Sequence, residues 1–198
     1  MLALALVMLK LTVVRPPVVP DLPVISQVSD FALTNQFGQP MTLENLKGRV
    51  WVADIIFTSC AGPCPVMTHH MRELQDALPT ASTAQLVTLT TDADTDTPPV
   101  LLKYAEKFGV DAKHWNFLTG DKRVIAGLAM DGLKLTAVAK KPDERTDDAD
   151  LFVHSTIFVV VDKQGRLRGS FQTQGEMVEW PESKQQILAT IKKLEGEP

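Results

Sequence analysis

Blocks of apolar residues separated by short polar segments predict alternating strands and helices in this chain. The run Val50–Phe57 is almost wholly apolar, which is typical of a central strand buried on both faces, and Asp54 is its one polar break. Pro65–Leu78 has apolar residues at helical spacing, and Pro79 ends it. Because Gln85–Thr90 is the next predicted strand, these elements form a strand–helix–strand unit whose two strands should be parallel.

The same patterns predict the remaining elements. They are a hairpin of Asp30–Thr34 and Pro40–Leu43, a helix at Pro98–Phe108, a short strand at Trp115–Leu118, a helix at Asp121–Met130 with Asp121 as its N-cap, a weak strand at Leu133–Val138, a polar loop at Lys140–Asp150, a second hairpin of Val153–Val161 and Leu167–Phe171, and a closing helix at Pro181–Leu194. This order predicts an α/β protein with a thioredoxin-like fold, in which helices flank a central mixed sheet and a β-hairpin comes first.

The first 23 residues differ from the rest of the chain. Met1–Leu9 is wholly apolar, and Val13–Pro23 is rich in proline, which is typical of a stiff spacer. The apolar run is shorter than the roughly 20 residues of a membrane-spanning helix, and no basic residue precedes it as in a secretory signal. A first strand or a core helix is the alternative. We expect residues 1–23 to be an export or anchor segment with its spacer, and residues 24–198 to form one domain.

Composition and charge exclude several functional classes. Of the 198 residues, 44% are hydrophobic and 22% are charged, as in ordinary globular proteins. The formal net charge is −4 and no basic run occurs, so nucleic acid is not an expected partner, since phosphate contacts need clustered Lys and Arg. Only two cysteines occur, which excludes a scaffold of several disulfides.

The candidate chemistry lies in Thr58–Pro65, which leaves the buried strand and enters the helix. It contains both cysteines, Cys60 and Cys64, and Gly62 allows a tight turn. Ligands and catalytic groups gather at such strand ends in open α/β sheets. We expect Cys64 at or near the helix N-terminus, where backbone N–H groups and the helix dipole lower the pKa of a thiol. The pair could form a reversible disulfide or chelate a soft metal ion, and two inert buried thiols are the plainer alternative.

One of the four histidines is expected to join the cysteines. His154 opens the predicted strand His154–Val161, which in a thioredoxin-like sheet lies antiparallel to Val50–Phe57. Its start then faces the end where the cysteine segment begins, although His154 follows Cys64 by 90 positions. The other three are expected on the polar flank of a helix or in a loop: His69, His70 and His114. Two thiolates and one imidazole favour copper, as Cu(I) or, with a fourth donor, as Cu(II), whereas zinc needs a fourth ligand.

From about Val28 to Glu195 the chain resembles the Sco/SenC family of copper chaperones. The resemblance rests on these stretches: Asp30–Thr34, the Phe57–Pro65 segment with its CxxxCP pattern, Thr91–Pro98, Trp115–Gly120 and the His154 strand with Val161–Gly165. It implies a thioredoxin-like domain that is membrane-anchored or exported, faces the periplasm or the intermembrane space, and binds copper through Cys60, Cys64 and His154. It also implies assembly of the copper A centre of cytochrome c oxidase, by copper delivery or by reduction of that centre's cysteines. The implied partners are the oxidase subunit that carries this centre, another copper chaperone and a thioredoxin-like reductant.

A thiol–disulfide oxidoreductase that uses Cys60 and Cys64 is the alternative function. Enzymes of the thioredoxin type have two residues between their cysteines and a cis-proline before the facing strand, but here the spacer has three residues and Phe152–Ser155 contains no proline. A peroxiredoxin-type peroxidase is disfavoured, because Phe57 stands where that pattern needs Thr or Ser. We therefore expect mainly a metallochaperone, with thiol–disulfide reductase activity as a second capacity.

A calcium site is not expected in the acidic segment after the second buried strand. Its carboxylates are Asp92, Asp94 and Asp96, but Thr97 stands where a calcium loop of this type needs Gly. They are expected to form a loop and to favour the N-terminus of the following helix.

Overall fold

The computed structural model describes residues 22–139, 141, 143 and 152–198. The strands are β1 (Ser26–Gln27), β2 (Ala32–Asn35), β3 (Pro40–Thr42), β4 (Trp51–Ile56), β5 (Gln85–Thr90), β6 (Trp115–Thr119), β7 (Ala137–Ala139), β8 (Phe152–His154), β9 (Ile157–Val161) and β10 (Arg166–Gln172). The helices are α1 (Leu43–Leu46), α2 (Pro63–Ala77), α3 (Pro98–Lys107), α4 (Lys122–Ala126), a π-helix (Gly127–Gly132) and α5 (Trp180–Gly196). Eight of these strands form one sheet, and β7 and β8 form a second.

The cysteine segment leaves the middle of the main sheet, because β4 lies in its centre. The strand order is β1–β10–β9–β4–β5–β6–β2–β3. β4 is parallel to β5, with Trp51 opposite Gln85, and antiparallel to β9, with Ala53 opposite Val159. The predicted parallel unit, the mixed sheet and the N-terminal hairpin of β2 and β3 are therefore confirmed. The carboxyl end of β4 lies between the end of β5 and the start of β9.

Alternate residues of β4 face two separate apolar clusters. Val52 and Ile56 pack with α2, α3 and α5, whereas Trp51 and Ile55 pack with α1, α4 and the π-helix. Side chains on a strand alternate between faces, so Asp54 shares the face of Val52 and Ile56 and lies under α2. The polar break in the apolar run therefore falls on the same face of the sheet as the cysteines.

Helix α2 begins two residues earlier than predicted. Gly62 is its N-cap and Pro63 its first residue, where the fixed φ of proline suits the helix and its missing N–H costs no bond. Cys64 is therefore the second residue of the helix, as the expected position near the N-terminus requires. The helix ends at Ala77, before Pro79.

The predicted strand His154–Val161 is wrong as a single element. β8 pairs with β7, with Ala137 opposite His154, whereas β9 joins the main sheet between β4 and β10. The chain changes partner at Ser155 and Thr156. The N–H of Ser155 donates to Thr136 before β7, and the carbonyl of Thr156 accepts from residue 173 after β10. Polar residues at 154–156 interrupt the apolar run here, but local sequence does not show which strands the two halves pair with.

The predicted helix Asp121–Met130 divides as well. Asp121 is the N-cap as predicted, and its carboxylate accepts from the N–H of Arg123 at 2.8 Å and of Val124 at 3.2 Å. The α-helical part ends at Ala126, and the π-helix continues it. Apolar spacing cannot distinguish the two helix types over so few residues. Of the predicted strand Leu133–Val138, only Ala137 and Val138 are in a strand, and that strand, β7, continues to Ala139.

The two ends of the described chain meet at one arginine. Arg168 on β10 donates to the carbonyl of Leu22 from Nη2 at 2.8 Å, to Asp162 at 2.8 Å and to Glu197 at 2.9 Å. Arg166 donates to the same Asp162 carboxylate at 2.7 Å. This network joins the N-terminal segment, the β9–β10 turn and the end of α5.

Within the described residues, no helix has the length and apolar character needed to span a bilayer. Residues 1–21 lie outside the described part of the chain, as does most of Lys140–Asp150. The predicted boundary between residues 23 and 24, the export or anchor segment and the polar loop therefore stay predictions.

Candidate functional site

The two cysteines lie at the ends of a short segment between β4 and α2. The N–H of Cys60 donates to the carbonyl of Phe57 at 3.2 Å and closes a tight turn. Cys60 is partly exposed, whereas Cys64 is completely buried in the first turn of α2. Both residues are thiols, and a hydrogen bond joins their side chains. The structure thus brings the predicted pair together, with one sulfur facing solvent and the other in the core.

A buried carboxylate fixes the start of this turn to the neighbouring strand. Asp96 is 1% exposed and accepts hydrogen bonds from the N–H of Thr58, at 3.1 Å, and from its hydroxyl. It also accepts from the hydroxyl of Thr90, the last residue of β5, at 2.5 Å. Asp96 therefore joins the ends of two parallel strands and holds the residue two positions before Cys60.

Cys64 is held by a different set of contacts. The hydroxyl of Thr68, one turn further along α2, donates to the Cys64 carbonyl at 2.9 Å. The same hydroxyl lies 2.9 Å from that of Tyr104 on α3, which therefore donates to it. Outside the helix, the amide of Gln174 donates to the carbonyl of Pro63 at 3.1 Å. The second cysteine is thus fixed through α2, α3 and the segment after β10.

The predicted lowering of the Cys64 pKa is wrong. The hydrogen bond with Cys60 and the burial of the sulfur raise the pKa of Cys64 far above its usual range, and the nearby Cys60 and Asp54 add to the effect. A hydrogen bond from the backbone of Phe57 opposes the rise. A helix N-terminus stabilises a thiolate by no more than about 2 kcal/mol. Burial beside other acidic groups outweighs that stabilisation here.

His154 is located by its backbone alone. It ends β8, three residues before β9, the strand that flanks β4. Its side chain lies outside the part of the chain that the structure describes. Among the side chains that the structure describes, no three His, Cys, Asp or Glu residues gather to hold a metal ion. The predicted ligand set of Cys60, Cys64 and His154 therefore stays a prediction.

The two histidines of α2 behave differently from each other. His69 is exposed, as predicted, with Nε2 3.4 Å from Glu73. His70 is half-buried, and its ring stacks on Trp180 of α5 at 4.1 Å. Burial lowers the pKa of His70. Glu73 also accepts from the indole N–H of Trp180 at 3.1 Å and from Lys184 at 2.7 Å, so this cluster joins α2 to α5. The prediction that His70 lies on the polar flank of the helix is wrong, because its ring packs against Trp180.

Two residues near the cysteines carried no clear sequence signal. The sequence predicts Asp96 only as part of a loop before a helix, and no local pattern shows that Thr58 and Thr90 both donate to it. Gln174 lies more than 100 positions from Pro63, and nothing in its neighbourhood marks the contact. Contacts between segments so distant in the chain depend on the fold itself.

Comparison with known proteins places this geometry in a family. The sequence profile described as SCO1/SenC matches residues 23–194. The chain belongs to the SCO1/SenC family. A curated relative, the SCO1 protein homolog of Bacillus subtilis, is 35% identical over 147 residues, which cover 73% of each chain.

Solved structures of Sco proteins share the fold. One comes from work on a disulfide switch in BsSco, a member of the Sco family of cytochrome c oxidase assembly proteins; it is 30% identical, with a TM-score of 0.73, and the match covers 89% of this chain and 97% of that one. ScoI of Bradyrhizobium japonicum with copper bound is 22% identical, with a TM-score of 0.68, and the match covers 85% and 99% of the two chains. The predicted thioredoxin-like fold is confirmed, and the profile match includes Cys60, Cys64 and His154.

Proposed function

We propose that this SCO1/SenC protein binds one copper ion as cargo and serves in the assembly of the copper A centre of cytochrome c oxidase. The observation that carries the proposal is the Cys60–Cys64 pair, two thiols joined by a hydrogen bond at the carboxyl end of the central strand. The similarity to oxidase assembly proteins and to a copper-bound Sco structure supports the choice of metal and of process.

The chemistry of the donor set suits copper. Two thiolate sulfurs and an imidazole nitrogen are soft or intermediate donors, which favour Cu(I), and an additional donor would allow Cu(II). The proposed ligands are Cys60, Cys64 and His154. Binding requires both thiols to lose their protons, so the raised pKa of Cys64 makes copper uptake release protons and weaken at low pH.

The proposed partners and location follow from the same role. We place the domain outside the cytoplasm, on the periplasmic side, held by an anchor or released by export. Its partner would be the oxidase subunit that carries the copper A centre, and a second copper chaperone or a thioredoxin-like reductant would act before it.

Anaerobic titration of the reduced protein with Cu(I) tests the proposal. We expect one equivalent to bind, and the Cu(II) form to show a sulfur-to-copper charge-transfer band. His154→Ala should weaken Cu(I) binding by more than about 100-fold, because changes outside the ligand shell alone cost 10–100-fold. His114→Ala, in a loop away from the cysteines, is the matched control. Unchanged affinity in His154→Ala would refute the three-ligand site.

Thiol–disulfide exchange is the second candidate function, and the unequal exposure of the two thiols favours it. An incoming disulfide can reach the partly exposed Cys60, and the buried Cys64 can then resolve the mixed disulfide. Cys60→Ser and Cys64→Ser should each abolish both copper binding and turnover. If either variant kept full reductase turnover, the paired role would be excluded.

A further inference from the structure

We propose that Asp96 is a positioning residue that sets the placement of Cys60 against Cys64, and thereby the stability of their disulfide. The proposal rests on the proposed use of this thiol pair. Its test needs no copper, so it stands or falls separately from copper binding.

Asp96 is a buried side-chain acceptor at the start of the cysteine turn, where it binds Thr58. Thr58 offers the carboxylate two groups, its N–H at 3.1 Å and its hydroxyl. The turn that begins at Phe57 closes on Cys60 through a backbone bond of 3.2 Å, with Thr58 inside it. A shift of Thr58 therefore moves the backbone of Cys60 directly.

Cys64 does not depend on this carboxylate. Its carbonyl is bonded to Thr68 at 2.9 Å, and the preceding carbonyl of Pro63 to Gln174 at 3.1 Å. Each thiol thus has its own anchor, one on the loop before α3 and one on α2. The Cys64 side chain is also bonded to the backbone of Phe57, so loss of Asp96 should displace the Cys60 sulfur most and the Cys64 sulfur less.

The distance between the two sulfurs decides how easily the disulfide forms. A disulfide needs Cβ atoms about 3.5–4.5 Å apart and a narrow range of dihedral angles. Oxidation by glutathione disulfide forms one S–S bond between Cys60 and Cys64, breaks the S–S bond of the reagent and yields two glutathione thiols. The more time Cys60 spends away from Cys64, the less favourable this exchange becomes and the higher the midpoint potential rises.

Equilibration of the full chain in glutathione redox buffers measures the effect. We expect Asp96→Ala to lower the equilibrium constant for disulfide formation about tenfold, which raises the midpoint potential by about 30 mV. Thr58→Val, which removes one of the two Thr58 bonds, should lower the constant about threefold, or about 14 mV. Asp96→Asn keeps an acceptor oxygen and should lie closer to the wild type than Asp96→Ala.

Thr90→Val separates positioning from general stability. It removes the bond that Asp96 accepts from β5 and leaves Thr58 in contact with the carboxylate. We expect it to lower the free energy of unfolding while the midpoint potential stays near the wild-type value. If Asp96→Ala does not fold, Thr58→Val and Thr90→Val still form a matched pair.

Two results would overturn the proposal. One is an unchanged midpoint potential in both Asp96→Ala and Thr58→Val, or in Thr58→Val alone if Asp96→Ala does not fold. The other is an equal shift in Thr58→Val and Thr90→Val, which would mean that any loosening of this loop has the same effect. A shift in Thr58→Val without one in Thr90→Val supports the proposal.

Discussion

At the scale of single residues, burial and neighbouring groups decide protonation more than position on a helix does. Cys64 lies in the first turn of α2, yet its bond to Cys60 and its burial raise its pKa. His69 and His70 are consecutive on one helix, but only His70 is packed against another ring, that of Trp180. Position on the helix follows from the sequence, whereas the neighbours come from distant segments.

His70 should make the stability of the protein depend on pH. Because burial lowers its pKa in the folded state, the unfolded chain binds the proton more readily, and protonation favours unfolding. Glu73 raises this pKa, whereas His69 and Lys184 lower it, and the lowering prevails. The stabilising contribution is complete above the unfolded pKa of about 6.5 and is lost as the pH falls through the folded pKa.

His70→Phe should remove this pH dependence, because phenylalanine keeps a ring against Trp180 but cannot titrate. Urea unfolding followed by tryptophan fluorescence, between about pH 5 and pH 8, measures the slope over the range in which an unfolded histidine titrates. His69→Gln, at an exposed position on the same helix, is the control and should keep the wild-type slope. An identical slope in His70→Phe and the wild type would contradict the assignment.

At the scale of elements, a buried hydrogen bond between Thr68 and Tyr104 joins α2 to α3 next to Cys64. The Thr68 hydroxyl bonds both to the Cys64 carbonyl and to the Tyr104 hydroxyl, each at 2.9 Å. Thr68→Val leaves the buried Tyr104 hydroxyl without this partner, so we expect it to lower the free energy of unfolding by about 1–3 kcal/mol. Chemical denaturation measures the change.

A double-mutant cycle tests the same joint. Tyr104→Phe removes the hydroxyl that Thr68→Val leaves unsatisfied, so the double variant should lose less stability than the sum of the two single variants. Strict additivity would show that the two hydroxyl groups do not depend on each other.

Most elements could be predicted from the sequence, and the errors have a common cause. The central strand, α2 and the N-cap Asp121 follow from local patterns of apolar and capping residues. The division of the strand at Ser155 and the change to a π-helix after Ala126 could not be predicted, because they depend on which segments pair across the fold. The cysteine pair was likewise predicted from local spacing, whereas Asp96 and Gln174 act across long sequence separations.

At the scale of the whole molecule, Arg168 connects the two ends of the domain. Hydrogen bonds from Arg168 and Arg166 lower the pKa of Asp162 against the opposing effect of burial. Arg168→Met would leave the Asp162 carboxylate, 2% exposed, with the half-exposed Arg166 as its remaining cation. We expect a loss of about 3–5 kcal/mol in the free energy of unfolding, as for other broken buried ion pairs.

Thermal and urea denaturation of Arg168→Met measure this loss. Lys47→Met, which breaks an exposed pair with Glu44, is the control and should change stability by less than about 1 kcal/mol. Equal small effects in the two variants would mean that the Arg168 network does not hold the chain ends together.

The pairing of β8 with β7 has a consequence for the proposed metal site. Cys60 and Cys64 lie on the turn and helix that follow β4 of the main sheet, whereas the backbone of His154 belongs to the smaller sheet. A copper ion bound by all three residues would connect the β7–β8 sheet to the end of β4 in the main sheet, and so link two sheets that share no strand. Copper binding should therefore protect the small sheet from proteases, and the protection should grow with the affinity for the ion.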